Sequence, residues 1–241
     1  MHEHFLIPVY SFTWWGGIFF TFLFYLLLGK VGHCLQKKEK EYLFRRSLLF
    51  LFLAREAVIY SYYIYSGLFT WQDSLPLHLC GISNLFCLII LYKPVSLLYE
   101  YLLMLGSVGA LMSFLTPEMT HGYTPFLLVD YYLNHGLIIF LPLYFFFILG
   151  IRPRQTSWLY VFLFGNVILA TVGTVNYFLG SNYIYLCEPP KVDNILITGK
   201  FPYHIVGFEV IGFIFIVLIY SLFIRLNFII FSFEFKKIKW C

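Results

Sequence analysis

Charge is what this chain has least of. Asp, Glu, Lys and Arg make up 12% of its 241 residues, about half the share usual in a soluble domain. Almost every polar interruption is short, which leaves no room for a separate water-soluble core. The five cysteines, Cys34, Cys80, Cys87, Cys187 and Cys241, show no paired spacing, so neither a zinc site nor a disulfide framework is indicated. A phosphate-cradling glycine loop, an internal repeat and a nucleic-acid motif are also missing, which sets aside several common enzyme and transporter classes and any nucleic-acid partner. No cofactor is implied. The first apolar run, from about Ser11 to Leu28, has no basic region before it and no small-residue cleavage site after it. It reads as a retained helix rather than a secretory leader.

Apolar residues fill the space that charge leaves: 61% of the chain is hydrophobic, mean hydropathy is +0.81, and Phe and Tyr number 29 and 20. Crossing roughly 30 Å of hydrocarbon takes about 17–25 helical residues. Segments near 11–29, 44–67, 76–92, 95–116, 126–149, 157–179 and 203–224 meet that length. No alternating strand pattern recurs, and an unpaired backbone amide in lipid costs several kcal/mol, so only helices are plausible. The expectation is an all-α polytopic membrane protein: one domain over 1–241 with seven transmembrane helices.

Basic residues divide unevenly between the two sides. The links after helices 1, 3 and 5 and the tail hold 13 Lys and Arg, whereas the opposite side holds only Lys191 and Lys200. Basic loops stay in the cytoplasm, so the N-terminus is expected outside, the C-terminus inside, and the protein in the cell membrane.

With that topology, polar side chains gather in the outer half of the bundle. His78 and Cys80 head helix 3, Asp130, Asn134 and His135 lie in the outer half of helix 5, Asn176 ends helix 6, and Glu209 begins helix 7. Arg55 and Glu56 fall near mid-membrane. Such residues are expensive facing lipid, so a water-accessible cavity opening outward is expected. Neighbours on a helix point about 100° apart, so Arg55 and Glu56 need not pair with each other; an ion pair of Arg55 with Glu209 is weighed equally against substrate binding. Glu100, close to the cytoplasmic end of helix 4, reads as a solvated interfacial residue.

The stretch LPLHLCGISN, residues 75–84, concentrates the reactive types. Pro76 suits a first helical turn, where its missing donor is not needed. His78 and Cys80 lie about 200° apart on a regular helix, whereas Cys80, Asn84 and Cys87 share one stripe. A base for Cys80 would therefore come from another helix, with His135 first choice, and Asp130 and Asn134 at i, i+4 could hold a polar network around the imidazole. Equally, a membrane cysteine can be a small apolar packing residue, and a helix histidine a hydrogen-bonded one. The spacing leaves both open.

LPLHLC, GALMSFLTPEM (109–119), NHG (134–136), the RP of GIRPRQ, VNYFLGSNYIYLCEPP (175–190) and GKFPYHI (199–205) occur in an order that resembles the YwaF-like family of bacterial integral membrane proteins, distantly similar to the transmembrane protein 164 group. The likeness covers roughly residues 70–210, and the first two helices carry little of it. That resemblance implies thiol-dependent acyl transfer between phospholipids, with Cys80 as acyl acceptor. His78, Pro117, His135, Asn176, Asn182, Tyr183, Pro189 and Tyr203 match the bacterial motif.

Two functions follow as expectations. In the first, Cys80 with His135 or His78 acts on membrane phospholipid without metal or cofactor. In the second, a noncatalytic binder or permease holds a small polar molecule through Arg55, Glu56, Asn134, Asn176, Asn182, Tyr183 and Glu209. The connection 180–202 is read either as a cap on the cavity or as an interfacial segment held by its tyrosines. Oligomeric state is not encoded legibly.

Overall fold

The computed structural model describes residues 4–189 and 201–234. Part of the 180–202 connection, including Pro190, Lys191 and Lys200, lies outside them, as do the tail lysines Lys236, Lys237 and Lys239. Eight α-helices follow one another in the described chain: α1 (Phe12–Lys37), α2 (Glu41–Tyr65), α3 (Leu79–Tyr92), α4 (Ser96–Tyr101), α5 (Ser107–Leu115), α6 (Pro125–Phe147), α7 (Ser157–Leu179) and α8 (Tyr203–Glu234). A π-helical turn, Leu102–Gly106, joins α4 to α5. Among the described residues six helical segments are long and apolar enough to cross a membrane, Ser96–Leu115 counting as one; α3, at 14 residues, is shorter.

Local chemistry fixes several boundaries. The Ser11 hydroxyl accepts from Trp14 N at 3.2 Å and starts α1, and Thr124 accepts from Leu127 N at 3.1 Å ahead of Pro125 in α6. Gly180, with φ of 61°, ends α7 in the left-handed conformation that glycine adopts without penalty. Helix α3 departs from expectation, since it begins at Leu79 and leaves Pro76 outside it. His78 takes the extended N-cap conformation, and the chain before it folds back so closely that a Cβ at Gly81 would stand 2.9 Å from Pro76 Cα. Gly81 is therefore part of what lets LPLHLCG turn into the bundle.

Helix α6 is the hub, packing against α1, α3, α5 and the π turn. Beside His135, a Cβ on Gly136 would clash with Tyr25 at 2.3 Å, so the small residue sets the α1–α6 approach. Tyr25 then reaches Leu133 O at 2.6 Å, and Trp14 Nε1 donates to Phe114 O at 2.7 Å. A short antiparallel bridge, Phe5–Leu6 (β1) with Glu118–Met119 (β2), ties the N-terminal segment across the loop after α5. That pairing was not anticipated from the sequence, because two residues carry no readable strand period.

Glu100 corrects another expectation. Its side chain is fully buried, not solvated, and takes Arg154 Nη2 at 2.6 Å, Nε at 3.0 Å and the Arg154 backbone N–H at 2.8 Å. Loop 148–156 folds back on α4 to make that clamp, a return path with no signature in local hydropathy.

Candidate active site

A cavity of about 680 Å³ enters between the loops around residues 73–76, 118–122 and 184–186 and passes between α2, α3, α5, α6, α7 and α8. Cys80, Asn84, Arg55, Glu56, Asp130, Asn134, His135 and Glu209 all line it.

The Cys80 thiol, in the first turn of α3, stands 3.6 Å from Ser113 Oγ on α5 and lines the same cavity as the His135 imidazole from α6. His135 Nδ1 faces Tyr131 O at 2.7 Å. A carbonyl only accepts, so Nδ1 carries the hydrogen, and Nε2 keeps the lone pair that a thiol proton requires. The Tyr131 ring packs on the imidazole with centroids 4.3 Å apart, and its hydroxyl donates to Ser113 O. Ser113 and Tyr131 were missed in the sequence, where a serine and a tyrosine in apolar helices carry no signal. His135 shares the cavity wall with Cys80 from a facing helix, and what holds its orientation is a main-chain carbonyl one turn earlier.

A second cluster sits across the cavity. Arg55 Nε and Nη2 donate to the two oxygens of Asp130, each at 2.6 Å, and Nη1 reaches Glu56 and, at 3.3 Å, Asn134 Oδ1. Asn84 Nδ2 also donates to Glu56. Arg55 thus pairs with Asp130 and with its own neighbour Glu56, which the 100° offset had left open, and not with Glu209, the ion pair weighed equally against substrate binding. A long guanidinium and a long carboxylate can bend toward the same space although their Cβ bonds diverge. Glu209 lies farther down the cavity and accepts from Asn166 Nδ2 at 3.2 Å.

His78 belongs to the cavity wall and to the loop above it. Its Nδ1 accepts from Ile184 N at 3.4 Å, and its ring stands against Tyr183 and Tyr185. Asn176, Asn182 and Tyr183 turn their polar atoms to the loop itself. Asn176 Oδ1 takes Ser181 Oγ and Tyr183 N, Asn182 Oδ1 takes Cys187 N and Glu188 N, and the Tyr183 hydroxyl donates to Trp71 O at 2.8 Å. Burial pushes the Tyr183 phenol up to about 12. At the mouth, Tyr185 reaches Glu118 Oε2 at 3.3 Å while His4 takes the other oxygen; burial, then the Glu118 charge, pushes the Tyr185 phenol up. Ile184 and Tyr185 both hold positive φ, 57° and 55°, so this short loop is held in a costly conformation by those contacts.

Apolar spans around a thiol, an imidazole and an ionic cluster define a multi-pass membrane protein. The TMEM164 family profile matches residues 3–220, and the chain belongs to that family. The match runs back through α1 and α2, where the sequence motifs had carried little. No curated protein and no solved structure matches the chain.

Proposed function

We propose that the protein is a thiol-dependent phospholipid acyltransferase or transacylase, closest in its motifs to the YwaF-like bacterial type, acting in the cell membrane from a cavity that opens outward. The observation that carries this reading is that Cys80 and His135, from α3 and α6, line one cavity, with His135 Nδ1 fixed by the Tyr131 carbonyl. In this reading the Cys80 proton passes to His135 Nε2 and the thiolate attacks the ester carbonyl of a donor phospholipid. The ester C–O bond breaks, the departing lysolipid oxygen takes the proton back from His135, and a thioester remains on Cys80. The hydroxyl of an acceptor lipid then yields its proton to His135 and attacks the thioester. The C–S bond breaks, and His135 returns the proton to sulfur.

Placing the cavity mouth outside follows the basic-residue bias, with the N-terminus on the same side. Helix α3 supplies the seventh crossing in this reading, its 14 residues rising about 21 Å. The alternative, a binder or permease built on Arg55, is disfavoured because Nε, Nη1 and Nη2 of Arg55 already meet protein acceptors.

Intact-mass analysis of protein purified in phospholipid tests the proposal. A hydroxylamine-labile acyl adduct is expected on the wild type and absent from Cys80→Ser, and His135→Gln should slow its formation about 10²–10⁴-fold, the usual contribution of a general base. A folded wild-type protein that never acquires the adduct, in lipids whose acyl composition stays unchanged, would overturn it.

A further inference from the structure

On its α7–α8 side the Cys80 cavity forms a mainly apolar slot against the π turn. Its walls include Val108, Phe162, Ile168, Phe208 and Ile216, with Glu209, bonded to Asn166, as the polar exception. Along α8 the lining runs from Ile205 to Ile216, a rise of about 17 Å at 1.5 Å per residue. That length suits an extended hydrocarbon chain and exceeds what a small polar solute would fill.

Leu105 stands in this slot because the helix is widened there. The Ser107 N–H bonds back to Leu102 O across the π turn, and Ser107 Oγ joins the same oxygen at 2.9 Å. A glycine on each opposing helix receives the leucine. A Cβ at Gly165 would stand 3.2 Å from Leu105 Cδ1, and one at Gly212 would stand 3.9 Å from Cδ2. The outer faces of α7 and α8 expose Leu163, Val167, Val206, Val210 and Ile214, so the slot is bounded by two helices that border the hydrocarbon of the bilayer. The slot is therefore continuous with the thiol at one end and separated from lipid by one helical layer.

We propose that this slot holds the fatty-acyl chain of a phospholipid whose ester lies at Cys80, and that Leu105, Gly165 and Gly212 set the chain length accepted. The assignment rests on the acyl-transfer reading for the position of the ester. Its occupant is hydrocarbon by the chemistry of the walls, and it comes from the bilayer because the slot lies between lipid-bordering helices. Leu105 acts as the floor. A side chain added at Gly212 raises that floor, and removing the Leu105 side chain lowers it.

The test uses the full chain in phosphatidylcholine bilayers containing a phosphatidylcholine probe with a photoreactive group at its acyl terminus, in short-, medium- and long-chain forms. Cross-links are mapped in wild type, Cys80→Ser, Gly212→Leu and Leu105→Ala. The expected result is labelling within 162–169 and 208–216 in both wild type and Cys80→Ser. Gly212→Leu should lower long-chain labelling while sparing short chains, and Leu105→Ala should shift the preference to longer chains. Gly212→Ala, whose Cβ has ordinary contact room, and Leu105→Ala, which adds no bulk, keep the question answerable if Gly212→Leu does not fold. Labelling spread over Val206, Val210 and Leu163 and insensitive to chain length in these variants would overturn the slot, as would capture of small apolar solutes in preference to the lipid chain. Slot labelling without a Cys80 adduct would sink acyl transfer and leave the slot standing; an adduct with unmoved chain preference would do the reverse.

Discussion

Arg154 and Arg55 each grip a carboxylate between helices, yet one closes its site and the other leaves its site open. Arg154 is half-exposed; its guanidinium and its backbone N–H bond Glu100, whose side chain is fully buried, and the guanidinium lies over the Tyr160 ring. One cation meets one anion, and loop 148–156 is pinned to α4. Arg55 meets two carboxylates and an amide inside the cavity, so the cluster carries more acceptors than its one cation needs. Asn84 Oδ1 beside it has no partner among the described residues. Both arginines are paired because a lone buried charge is costly. The surplus at Arg55 is the part that stability does not require, and it faces the same cavity as Cys80.

Removing the cations should break this comparison most strongly. Arg55→Ala leaves Asp130 and Glu56 facing one another without a counter-charge at membrane depth, and should cost about 5 kcal/mol, the upper end for a broken buried pair. Thermal unfolding in detergent reads the loss, and a cost no larger than that of a surface substitution would show that water already screens the cluster. Arg154→Ala comes next, at about 3 kcal/mol, since a single carboxylate is stranded. Glu100→Gln in that background should restore most of the loss, because an amide carries no charge to strand. Glu56→Gln should be smallest, within about 1 kcal/mol, as Asp130 keeps both of its bonds to Arg55. If Glu56→Gln matched Arg154→Ala in unfolding measurements, the two sites would be equivalent clamps and the contrast would fail.

The difference between the arginines also marks where sequence reading stopped. Arg55, Glu56, Asp130 and Asn134 were legible as polar residues at membrane depth, and they do converge. Their partners were not legible. Arg55 took Asp130, a partner not named from the sequence, together with the neighbour it did not need to pair with, and not Glu209. Glu100 read as solvated because it lies near a helix end, and only the returning loop buries it. At the thiol site, the helical stripe pointed Cys80 toward a facing helix, and Cys80 and His135 do line one cavity, but Ser113 and the Tyr131 carbonyl had no signal to find. Asn176, Asn182 and Tyr183 were recognisable as a pattern, and the structure gives that pattern to a loop.

Hydropathy and segment length determined the class, the helical spans and the polar half of the bundle, because lipid acts on each segment separately and its cost is read along the chain. Which polar atoms meet was settled by rotation, tilt and close approach of packed helices: Gly136 under Tyr25, Gly81 under Pro76, and a π turn that aims Leu105 between two glycines. Those distances depend on side chains far apart in sequence fitting at ångström range, and no local pattern records them.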